Sequence, residues 1–157
     1  MNASHGLVDA LALRMLDRRA ATRHTARMYT AVTDEVQVTV LPQFVPERSD
    51  TAAERYFWAY TVEITNRRAT SVQLVSRHWT ITDGRGHVEE VRGAGVVGEQ
   101  PVLNPGDTFR YTSGCPLTTP SGIMTGTYRM LDEEGEPFDI VIPTFSLDCP
   151  TLKRTLN

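Results

Sequence analysis

The chain has 157 residues, of which 40% are hydrophobic and 22% charged, which is the composition of one globular domain with a packed core and excludes a disordered or fibrous chain. Its net charge of −3 conceals an asymmetry: residues 1–33 carry five arginines against Asp9 and Asp17, a surplus of three positive charges, so the remainder stands at −6. An acidic body lacks the basic footprint needed to neutralise a phosphate backbone, which excludes DNA or RNA binding by the main domain.

In chain order, Leu7, Val8, Leu11, Met15 and Leu16 recur at helical spacing, and a short amphipathic helix is expected in an N-terminal extension over 1–33. From Asp34 the period changes to two. Val36, Val38 and Val40 alternate with Gln37 and Thr39 until Pro42 and Pro46, which are expected to interrupt the ladder. Trp58, Tyr60, Val62 and Ile64 then form the clearest strand, ending in a turn over 66–70.

The returning strand changes parity. Val72 and Leu74 face one way, Trp79 and Ile81 the other, and a bulge near Ser76 reconciles them. Asp83-Gly84-Arg85-Gly86 supplies a turn into a strand over 87–91. Further strands are expected at 109–113, 127–131 and 138–142, the last two joined by the charged tip Asp132 to Pro137. Short strands with Gly, Pro and Asp punctuation predict an all-β, antiparallel sandwich over 34–150, followed by a tail over 151–157. Within the immunoglobulin-like class, the cysteine and tryptophan spacing of antibody domains is missing, so a fibronectin-III-like sandwich is the better comparison.

No stretch reaches the ~18 to 20 apolar residues that a membrane-spanning helix requires, and no secretory leader pattern opens the chain. Cys115 and Cys149 are too few for a disulfide scaffold or a cysteine zinc site, and two reduced thiols in a cytoplasmic protein are expected. His78 and His87 flank the Gly84/Gly86 turn. Pairing Thr82 with His87 puts His78 opposite Val91, about four rows or ~13 Å from His87, too far to share an ion held at ~2 Å. No metal ligands are assigned.

Gly93-Ala94-Gly95-Val96-Val97-Gly98 satisfies G-x-G-x-x-G. A dinucleotide site needs a helix after these glycines, and Pro101 with Asn104-Pro105-Gly106 leaves no room for one. Two readings of the loop remain: an anion nest with Arg92, Gly93, Gly95 and Gly98 as contacts, in which Arg92 or a divalent cation must offset Glu89, Glu90 and Glu99, and glycines that only permit positive φ or close approach between two strands. Ser113-Gly114-Cys115-Pro116 is no nucleophile elbow, and Glu133 and Glu134 sit at a solvated tip, so no catalytic constellation is assigned.

Several segments in order, Phe57 to Val62, Gln73-Leu74 with His78-Trp79, Gly93 to Pro101, Tyr111 to Gly114, Gly122 to Gly126, Pro137-Phe138 and Ile142 to Phe145, resemble the ApaG (CorD, DUF525) family over about 34–150. The resemblance implies a fibronectin-III-like sandwich, a link to cobalt and magnesium homeostasis, nucleotide or pyrophosphate binding at the glycine loop, and no enzyme activity. It also implies protein recognition, since the domain recurs in eukaryotic F-box proteins. Ala94 departs from the family's usual Glu, and if that carboxylate serves a metal or nucleotide in relatives, this chain has one ligand fewer. The expected function is a non-enzymatic, cytoplasmic recognition module that presents the loops Gly93 to Gly98 and Ser113 to Pro116, and the alternative is a nucleotide or pyrophosphate binder.

Overall fold

The computed structural model describes residues 27–150, and the helix expected in the N-terminal extension lies outside them. Nine strands fill the described chain: β1 Tyr29–Thr33, β2 Val36–Phe44, β3 Tyr56–Asn66, β4 Val72–Asp83, β5 Val88–Ala94, β6 Val102–Leu103, β7 Thr108–Leu117, β8 Ser121–Leu131 and β9 Pro137–Asp148. Two single 3-10 turns, Pro46–Arg48 and Thr51–Ala53, lie between β2 and β3. The strands form two antiparallel sheets, β1-β2-β3-β7 and β5-β4-β8-β9, with β6 pairing the start of β4.

Alternation makes the sandwich. Val36, Val38 and Val40 on β2 and Trp58, Tyr60, Val62 and Ile64 on β3 face inward and are almost wholly buried. They meet Leu74, Trp79, Tyr128, Met130, Ile140 and Ile142 from the second sheet in one core. Fully burying side chains of this size stabilises by about 1.5–3 kcal/mol each before chain entropy is set against it. Asn66 ends β3 inside this core, and its amide donates to Thr70 O at 2.9 Å and Leu103 O at 3.0 Å while accepting from Arg68 N–H, so a buried polar side chain is fully used.

Three details correct the sequence reading. Pro42 does not interrupt β2: it pairs with Tyr60 beyond the last β1 contact, Tyr29 with Val40, where β2 has become an edge and needs no N–H on that side. In the β4–β5 hairpin Thr82 pairs with Val88 rather than His87, because Asp83 N–H donates to His87 O and closes a five-residue turn. His78 therefore lies opposite Arg92. Ser113 to Pro116 is not a loop but the end of β7, an edge strand paired with β3.

The expected slip in β4 is present. Leu74 pairs with Met130 and Ser76 with Arg129, so Val75 is the extra residue of a bulge. A second bulge on β9 absorbs Pro143 and Thr144 opposite Thr125, which carries that strand past the proline to Asp148 and returns Phe145 and Leu147 to the inside. β1, within the stretch read as the extension, packs on β9: Tyr29 Oη lies 3.2 Å from Ser146 Oγ, and Val141 N–H donates to Thr33 Oγ1 at 3.1 Å. One edge of the sandwich is thereby closed. At the other edge β5 and β7 are not bonded to each other.

The tyrosine pair at this open edge gives a measurable expectation. Tyr111 and Tyr128 reach across the layers and share a hydrogen bond between hydroxyls that are both buried, and burial pushes both phenols well above their ordinary pKa. Tyr111→Phe is expected to lower stability by about 1–3 kcal/mol in urea unfolding, because Tyr128 is left with an unpaired buried hydroxyl. Removing both hydroxyls is expected to cost less than the two single changes added together, and strict additivity would show that the pair is not coupled.

Candidate functional site

The gap between β5 and β7 holds a cleft of about 240 Å³. Its floor is aromatic: Tyr60 from β3, Trp79 from β4 and Tyr111 from β7, with the Tyr60 and Trp79 rings edge-on at 5.3 Å. Ser113 adds a hydroxyl, and Ala94, Val96, Val97 and Gly98 of the glycine-rich segment form the lip. Arg77 completes the lining and is its one charged side chain.

The bulge places Arg77 there. With Val75 inserted, Arg77 shares the inward parity of Trp79 and Ile81, while His78 and Thr80 turn outward. The same bulge anchors the lip, because Val75 O accepts from Gly95 N–H at 2.8 Å and from Gln100 Nε2 at 2.9 Å. Arg77 Nη1 then donates to Ala94 O at 3.1 Å and Gly95 O at 2.8 Å. Gly93 lies against the guanidinium: a Cβ there would stand 2.9 Å from Arg77 Cζ, so a side chain at 93 would displace the cation.

The glycines have distinct conformational reasons. Gly95 has φ +62° and Gly98 φ +79°, and Val97 between them also has positive φ, at 45°. Val96 and Glu99 exchange both backbone hydrogen bonds, giving a tight turn with positive φ at its two central residues, as in type I′. The N–H groups of Gly95, Val96 and Glu99 are used within the protein, and those of Val97 and Gly98 meet no backbone acceptor among the described residues.

The residues singled out from sequence are thus only partly together. Gly93, Gly95 and Gly98 belong to the segment that forms the lip. Arg92 is on the outer face, 71% exposed, 4.0 Å from Glu90. His78 is also outside, its Nε2 3.1 Å from Glu90 Oε1. The cation that does line the cleft is Arg77, which the sequence reading does not single out, although its shared parity with Trp79 and Ile81 is a usable signal. Among the described residues no group of three His, Cys, Asp or Glu side chains is placed to hold a metal ion, so no step is derived through one. Cys115 is buried beside the cleft, and burial, with Glu89 adding to it, pushes its thiol up to about 12. It is a packed thiol rather than a thiolate nucleophile at neutral pH.

Residues 46–132 match the family model described as the ApaG domain. Protein ApaG of Methylocella silvestris is 65% identical over 130 residues, covering 83% of this chain and all of that protein. Protein ApaG of Beijerinckia indica is 62% identical over the same coverage. Among solved structures, the crystal structure of the putative ApaA protein from Bordetella pertussis superposes with a TM-score of 0.73 at 53% identity, over 76% of this chain and 98% of that one. A structural-genomics target solved by X-ray crystallography gives 0.72 at 42% identity, over 78% and 92%.

Proposed function

The chain belongs to the ApaG family, and from that premise we propose that it is a non-enzymatic binding module acting through protein recognition in cobalt and magnesium homeostasis. The observation that carries the reading is the cleft at the open edge, where a tight turn and an aromatic floor meet, since recognition sites combine a fixed scaffold with a concave anchor pocket. Two antiparallel sheets, β1-β2-β3-β7 facing β5-β4-β8-β9, support a fibronectin-III-like scaffold beneath it. The relatives carry a protein name rather than an enzyme's, and the buried Cys115 thiol offers no nucleophile, which favours binding over chemistry. Among the described residues no helix is long and apolar enough to cross a membrane. A cytoplasmic site of action is part of the proposal.

Site-specific photocrosslinking tests it. With p-benzoylphenylalanine at Ala94, on the lip, a discrete protein adduct is expected in cells; the same group at Arg85, in the β4–β5 turn at the other end of β4, should give none. Identical adducts from both positions, or none from either, would reject the reading.

A second reading, nucleotide or pyrophosphate binding at Arg92, Gly93, Gly95 and Gly98, draws support from the adjacent N–H groups of Val97 and Gly98, which have no backbone acceptor among the described residues. Calorimetry with ATP and with pyrophosphate, each with and without magnesium, decides it. Saturable heat that falls in Arg92→Ala supports the site, and no heat at millimolar ligand retires it.

A further inference from the structure

Arg77 is a cation without a counter-charge. Its half-buried guanidinium lines the cleft, yet no Asp or Glu among the described residues lies within ion-pair distance of it, whereas Arg85, Arg92 and Arg129 on the surface each have one. Its hydrogen bonds are one-sided. Nη1 is held by the carbonyls of Ala94 and Gly95, while Nε and Nη2 have no partner among the described residues. Nor are those two atoms sealed away, since among the described residues the one buried side-chain polar atom left unpaired is Nε of Arg68, elsewhere. The Nε–H and Nη2–H groups form the side-on fork that matches the two oxygens of a carboxylate. Contact with Gly93 on one side and the two carbonyl bonds on Nη1 fix the plane of that fork in advance.

We propose that the cleft binds a monoanionic carboxylate carried on a small apolar or aromatic body, with the free edge of Arg77 gripping the carboxylate and the body lying in the cleft beside the lip residues Val97 and Gly98. Charge selects the monoanion. One guanidinium lines the cleft, and Arg92, the other cation considered for this loop, points to the outer face, so a polyphosphate would enter with most of its charge uncompensated. Size agrees, because about 240 Å³ is below the roughly 300–1,000 Å³ of sites that enclose drug-sized ligands and suits one side chain or a small acid rather than a whole nucleotide.

The proposal deepens the recognition reading by naming the chemistry its cleft takes, and it leaves two sources for the carboxylate: a free small acid, or the C-terminus of a partner chain. The probes are phenylacetate, an acetylated tripeptide ending in phenylalanine with a free carboxylate, and the neutral counterparts phenylacetamide and the tripeptide amide. Binding is read by calorimetry and by tryptophan fluorescence, with a Trp58→Phe background isolating the emission of Trp79. At least one carboxylate is expected to bind the wild-type protein and Arg92→Ala alike, to bind Arg77→Lys about tenfold more weakly because a point charge replaces the fork, and to give no saturable signal with Arg77→Gln. The neutral counterparts should not bind, a comparison that holds even if the Arg77 variants fold poorly. Tighter binding of the tripeptide assigns the site to a chain end, and tighter binding of phenylacetate assigns it to a free acid.

Equal binding of acid and amide, or of wild type and a folded Arg77→Gln, would overturn the proposal, as would no binding of either carboxylate at millimolar concentration. The two readings fail separately. Crosslinked partners without carboxylate binding would keep recognition and remove this site, and carboxylate binding without a crosslinked partner would do the reverse.

Discussion

Trp79→Ala is expected to lower the unfolding free energy by about 3–5 kcal/mol, a large share of the roughly 5–15 kcal/mol that holds a domain of this kind together. Trp79 is 1% exposed and sits where the layers meet, its ring 5.3 Å from Tyr60, 6.0 Å from Phe145 and 6.4 Å from Tyr128. Truncation removes three edge-on aromatic contacts and opens a cavity continuous with the existing cleft, which lets water reach the tyrosine hydroxyls. Urea unfolding followed by far-ultraviolet circular dichroism measures the loss. Trp79→Phe should recover more than half of it, because the ring contact survives even though the volume does not. A loss below about 1 kcal/mol for the alanine variant would mean that the core closes around the gap, against the account of a shared aromatic centre.

The second large effect concerns the lip of the cleft. Gly95→Ala is expected to cost about 2–5 kcal/mol, combining roughly 1–2 for a left-handed non-glycine residue with about 1–3 for overpacking. The overpacking has a definite cause: a Cβ at Gly95 would stand 2.3 Å from the carbonyl oxygen of Glu99, across the turn it shares with Val96. Gly98 has φ +79° but nothing within 4 Å of its Cβ position, so Gly98→Ala carries the conformational part alone, about 1–2 kcal/mol. Thermal unfolding of the two variants side by side separates backbone strain from collision, and equal losses would deny the collision. A bulky residue at Gly95 breaks the lip itself, so a ligand lost by that variant says nothing about contact, and Gly98 is the cleaner position to change.

Much of this fold is legible in the residues because half-buried strands write their burial as alternation. Val36 to Val40 and Trp58 to Ile64 are unambiguous for that reason. The parity change before Trp79 likewise locates the bulge to within one residue. Other features are hidden by the same physics. β1 reads as ordinary polar chain because only Tyr29, Ala31 and Thr33 are partly covered, and β6 is two residues long. β9 looks finished at Pro143 because a proline normally ends a ladder, and the bulge that accommodates it is a property of the pairing with β8. The hairpin register missed by one residue because it depends on the hydrogen bonds that close the turn. The cleft was the least legible part: an arginine is assigned to solvent by habit, and nothing local to Arg77 announces that two carbonyls from a segment seventeen and eighteen residues away will hold it.

Val75 has a further effect on what the protein is free to become. Without that extra residue one phase would govern β4 throughout. Counting from Leu74, Ser76, His78 and Thr80 would be driven into oil; counting back from Trp79, Leu74 would be turned out to water. Splitting the strand into two separately phased halves uncouples them, so the residue at 77 can be exchanged for one of another charge or length while both tryptophan layer and β6 contact stay in place. A lineage holding this frame could retune what the opening accepts by single substitutions.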